Sequence, residues 1–99
     1  MEHYNKLTPA EAERLSCLLE EMGEAIQVIG KIQRHGYENY HPKDPYKTPN
    51  RTLLATEIGH VCSIIHLMTT NQDVSRMNID TSVSEKIIAI KRWMHHQQD

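Results

Sequence analysis

Two short acidic runs carry most of the chemistry this chain can offer: Glu20-Glu21-Met22-Gly23-Glu24 and, further on, Glu57-Ile58-Gly59-His60. On a helix, residues three apart project from neighbouring rows. At about 100° per residue, Glu21 falls on the shoulder of an apolar stripe. Glu57 falls inside the arc set by Leu54, Val61, Ile64 and Met68. Packing that arc draws a carboxylate out of water, which costs several kcal/mol unless a cation or hydrogen-bond donors meet it. Two helices turning such groups to one seam make a site for a hard cation, of the kind that holds Mg²⁺ beside substrate phosphates. The plainer expectation is a solvated acidic face in which Glu20, Glu21 and Glu24 pair with Lys31 and its neighbours.

A second set of candidates lies between the runs. Residues 35–50, HGYENYHPKDPYKTPN, hold three of the four prolines and three of the four tyrosines. Loops of this length in small domains are often functional. Tyr37 and Tyr40 can stack on a base, while Lys43 and Lys47 can meet phosphates. Lys31, Arg34 and Arg51 flank the acidic helices, where basic groups serve phosphates or simply balance the glutamates. Cys17 and Cys62 are isolated thiols with no CxxC, so neither a disulfide framework nor a zinc knuckle is expected.

Three helices must position these groups. Thr8, Pro9 and Glu11 read as a cap, a first-turn proline and a capping box. Leu15, Leu18, Leu19, Met22, Ile26 and Ile29 then recur at helical spacing, and His35-Gly36 closes a helix predicted over about 9–34. Thr48 or Asn50 caps a second helix, which runs to about Thr70. Ser82 and Glu85 form another capping box and start a third, carrying Val83, Ile87, Ile90 and Met94 with Trp93 beside them. Asp73 to Asp80 is expected as a turn or a short helical piece. The fold class is therefore all-α, a single domain over 1–99. The first two helices are expected antiparallel, with the third packed across them. The stripes are too extensive for one thin layer, so a homodimer or homotetramer is expected.

Composition narrows the setting. Ninety-nine residues make one small domain. Eleven basic against thirteen acidic residues, a formal charge of −2, argue against a sequence-blind binder of polymeric nucleic acid. No apolar run is expected to span a bilayer, which needs about 18 residues. MEHYNKLTPAEAER has neither the basic start nor the apolar core of a signal peptide. A reducing cytoplasm is the expected home.

Glu21-x-x-Glu24 followed by Glu57-x-x-His60 resembles the ExxE…ExxD signature of the MazG-like all-α NTP pyrophosphohydrolases. The likeness extends over about residues 15–96 through LLEEMGEAIQVIGKIQRHGYE, NRTLLATEIGHV and KRWMHH. It implies a helical bundle completed by oligomerisation, with Glu21, Glu24 and Glu57 as ligands of Mg²⁺ or Mn²⁺. It also implies attack of water on an NTP or dNTP to release pyrophosphate. Glu20 is expected as the base for that water or as an outer ligand, with Glu21 as the other catalytic candidate. His60 stands where the family pattern has aspartate, and a nitrogen ligand suits Mn²⁺, Co²⁺ or Zn²⁺ better than Mg²⁺. Two other expectations follow from the same residues. One is a scaffold that binds nucleotides or cyclic nucleotide signals without turnover, through Tyr37, Tyr40, Lys43, Lys47 and Arg51. The other is a helical interaction protein in which the glutamates only pair with basic groups.

Overall fold

The computed structural model describes residues 4–97; the first three residues, and the last two of the HHQQD tail, lie outside it. The described residues form three α-helices and a 3₁₀ turn, with no strand: α1 Pro9–His35, α2 Asn50–Thr70, α3 Arg76–Ile90 and η1 Lys91–Trp93. They fall into two compact units, Met1–Leu67 and Met68–Asp99.

In the first unit, α1 begins as its sequence dictates. Glu11 N donates to Thr8 Oγ1 at 3.1 Å, and Thr8 N donates to Glu11 Oε1 at 2.8 Å. The helix ends at Gly36, whose φ of 87° lies in the left-handed region that glycine tolerates, and Gly36 N donates back to Ile32 O. The loop then returns the chain alongside. Asn50 N donates to Asn39 O at 2.8 Å and Arg51 N to Tyr37 O at 2.9 Å, so loop carbonyls satisfy the first two amides of α2. Asn50 is buried, and its Nδ2 donates to Gly36 O at 3.1 Å. Its side chain thus ties the two helix ends together instead of capping α2. Within the loop, Asp44 accepts from Tyr46 N and Thr48 N, and these two bonds, the one from Thr48 foremost, hold its carboxyl below the ordinary 3.8. Lys47, at φ 52°, completes the turn in a conformation unusual for a side chain with a Cβ. With its ends joined in this way, α2 runs antiparallel to α1.

The second unit departs from the sequence reading. α3 starts at Arg76, not at the Ser82–Glu85 box, because Ser75 caps it: Asn78 N donates to Ser75 Oγ at 3.2 Å. No proline or glycine interrupts 76–81, so the helix runs straight through the later box. It also stops earlier, at Ile90, and the chain tightens into η1 before Met94.

α2 corrects one further expectation. An 18-residue window within it has a mean hydropathy of 1.2, so by length and composition it is apolar enough to cross a membrane. A single such helix, with Glu57 and His60 near its middle, argues only weakly for a bilayer.

Candidate metal centre

α1 and α2 bring together the four residues that the two acidic runs single out. One ligand atom from each of Glu21, Glu24, Glu57 and His60 lies within 4.8 Å of all the others. The spacing explains it: Glu21 and Glu24 are one turn apart on α1, Glu57 and His60 one turn apart on α2, and the helices run antiparallel. Glu57 keeps 19% of its side chain exposed and Glu21 25%, so the seam does draw both carboxylates out of water.

The electrostatics follow from that proximity. His60 Nδ1 lies 3.3 Å from Glu57 Oε2 and 3.5 Å from Glu21 Oε2. Glu21 Oε2 is buried, and no hydrogen bond reaches it among the described residues. The Glu24 carboxyl is pushed above its ordinary 4.5, first by the charge of Glu21 and then by a side-chain hydrogen bond with Glu57. Three carboxylates with one imidazole and an orphaned buried oxygen form an anionic pocket short of positive charge. A bound Mg²⁺ or Mn²⁺ would hold opposed ligands about 4.2 Å apart, so closing on one asks only side-chain adjustment. The donor set therefore fits a divalent cation.

The remaining candidates separate into groups. Glu20 is exposed and lies outside the four-residue set, adding only its charge to the field at Glu24. Tyr37 and Arg51 form a contact of their own, with the Arg51 guanidinium 4.6 Å above the Tyr37 ring and its Nε donating to Glu38 Oε1 at 2.6 Å. Lys43 and Lys47 are exposed on the loop. Lys31, Arg34 and Tyr40 line one cavity of about 360 Å³. His35, Asn39 and His41 line it too; sequence reasoning used His35 only as part of the helix close and passed over Asn39 and His41, which belong to no motif. Cys62 is exposed and Cys17 half-buried.

The chain was compared with family models, curated proteins and solved structures, and none matches.

Proposed function

We propose that this chain is a divalent-metal-dependent nucleoside triphosphate pyrophosphohydrolase, converting an NTP or dNTP to monophosphate and pyrophosphate. The observation that carries the reading is the cluster itself: four potential ligand atoms within 4.8 Å, one of them a buried carboxylate oxygen without a hydrogen bond. The metal, once bound, would polarise phosphoryl oxygens and lower the pKa of the attacking water. Glu21, Glu24, Glu57 and His60 hold it, and His60 tilts the preference toward Mn²⁺ over Mg²⁺. Glu20, beside the cluster but outside it, is the group left to take a proton from the water. Tyr37, Lys43, Lys47 and Arg51, on the connecting loop and the first turn of α2, stand to meet the nucleotide, while Lys31, Arg34 and Tyr40 line the cavity beside that loop. This is the activity implied by the MazG-like resemblance, in a cytoplasmic setting.

His60 also favours a second reading. Its ring nitrogen already stands between two carboxylates, where the family signature would place a fourth anion. With one charge fewer, the scaffold binds nucleotides without hydrolysing them. Pyrophosphate release from a panel of NTPs and dNTPs, with Mg²⁺ and Mn²⁺ in parallel, decides between the two. The enzyme reading expects release by wild type that Glu57→Gln lowers by at least about 100-fold, more than the loss of an outer-shell partner usually costs. Silence in wild type with release by His60→Asp would mean an intact scaffold that only binds. Silence in both would end the hydrolase reading.

The quaternary expectation joins this proposal. Leu19 and Ile26 on α1 are 76% and 67% exposed, and Leu15, Met22 and Ile29 lie open on the same stripe. Apolar stripes of this kind are uncommon on monomers. A second copy, in a homodimer or homotetramer, is the cover we propose for them.

A further inference from the structure

The cavity beneath the 36–49 loop has the opposite character to the acidic cluster. It holds about 360 Å³ and is lined by Lys31, Arg34, His35, Asn39, His41 and Asn50, with no carboxylate among its lining residues. Cations near the end of α1 have an ordinary explanation, since they complement the negative end of the helix dipole. That explanation does not cover the rest. Glu38, the carboxylate closest in sequence, is held at 2.6 Å by Arg51, and among the described residues no carboxylate pairs with Lys31 or Arg34. The loop contributes donors of its own. His41 Nδ1 accepts from Lys43 N at 3.1 Å, which leaves the ring proton on Nε2 as a donor. Asn50, buried and tied to Gly36 O, fixes the wall at the start of α2.

Lys31 stands seven residues beyond Glu24 on the same face of α1, and Asn50 seven before Glu57 on α2. Two helical turns, roughly 10 Å of rise, therefore separate the donors at that end of the cavity from the acidic cluster, and apolar Leu53, one turn before Glu57, lines the side nearer to it. That distance is too long for a phosphate in the cavity to be a ligand of a metal held by the glutamates. We propose that the cavity is a separate, metal-independent site for a phosphate monoester, its dianion held by Lys31 and Arg34 with His41 and Asn39 as further donors. The volume exceeds what one phosphate fills, and Tyr40, Pro42 and Leu53 offer apolar walls to the ester's organic part. The site stands apart from the proposed hydrolase activity, because it asks nothing of the acidic cluster.

The test uses the full chain in EDTA, titrated with ribose 5-phosphate and, separately, inorganic phosphate at matched ionic strength, and read by amide chemical shifts. Expected are saturable shifts at His35, Asn39, Tyr40, His41 and Asn50, none at Glu21 or Glu57, and tighter binding of the ester than of the free ion. Lys31→Ala and Arg34→Ala should each weaken binding about tenfold, equivalent to about 1.4 kcal/mol. Both variants should keep the wild-type far-UV spectrum and melting temperature. No saturable shifts, or shifts centred on the glutamates, would overturn the site. So would affinities that ignore both substitutions. Equal affinity for phosphate and the ester would overturn its assignment to a monoester. Absence of Mn²⁺ binding at the cluster would instead count against the hydrolase reading alone.

Discussion

Glu24 is where the acidic cluster reports its own cost. Its carboxyl titrates above 4.5 chiefly because the charge of Glu21 faces it, with the Glu57 hydrogen bond next in weight. A carboxyl with a raised native pKa binds its proton more tightly in the folded chain than in the unfolded one. Stability is then highest below 4.5, and it falls as the pH rises through the raised native value. The metal-free protein loses that contribution as the pH is raised from 4 toward neutrality. Glu24→Gln should therefore raise the melting temperature of the metal-free protein at pH 7 and leave it little changed at pH 4. Mn²⁺ should raise the wild-type melting temperature at pH 7, and the substitution should remove most of that increment. A Glu24→Gln protein that melts lower than wild type at pH 7 would show that the carboxylates do not repel one another as drawn. The four clustered side chains were legible in the sequence because helical spacing alone fixes which face each occupies. What spacing leaves open is the depth of each group in the seam. Glu20 became a candidate through the hydrolase reading and not through its helical position, and it is exposed.

Element boundaries were legible where one cap dominated. The Thr8–Glu11 box forms both of its reciprocal bonds, and α1 starts where that box says it should. In the second unit, two serines competed for the start of α3. The Ser82–Glu85 spacing matches the stronger sequence signature, yet Ser75 is the residue that accepts an amide, from Asn78. A capping box is a local preference. It is silent once an earlier cap has nucleated the helix and nothing between them breaks it. Arg76 and Asp80, one turn apart with 3.8 Å between charged atoms, add modest support across the stretch expected as a turn or a short helical piece. Ser75→Ala should then destabilise the chain by about 1 kcal/mol, while Ser82→Ala should stay within about 0.5 kcal/mol. Urea denaturation of the two variants side by side measures this, and the reverse order would return the start of α3 to Ser82. The loop was less legible than either helix. Two of its joining bonds run from the amides of Asn50 and Arg51 to the carbonyls of Asn39 and Tyr37, and a third from the Asn50 side chain to Gly36 O; all span more than ten residues, so no local pattern announces them.

Across the whole chain, every helix leaves apolar side chains open to water. Met77 on α3 is 76% exposed and Ile88 67%, while Ile79, Val83, Ile87 and Ile90 line a groove on another face of the same helix. A helix of 15 residues is marginal in water unless packing supports it, so α3 in particular needs a covering surface. Magnitudes decide how much surface must be shared. The five α1 stripe residues of each of two copies, scaled by their present exposure, offer about 10 kcal/mol at about 2 kcal/mol for a full burial. Association costs about 4–15 kcal/mol in lost freedom, so that stripe alone is close to break-even. A stable assembly therefore needs apolar surface beyond that stripe, and α3 has such surface to offer. Leu19→Asp and Val83→Asp, made separately, should each shift wild-type oligomers toward monomer in light scattering coupled to size exclusion. If only Leu19→Asp does so, the interface is confined to α1 and something else covers α3. A wild-type protein that runs as a monomer at micromolar concentration would remove the second copy from the proposal and leave both faces to a different partner.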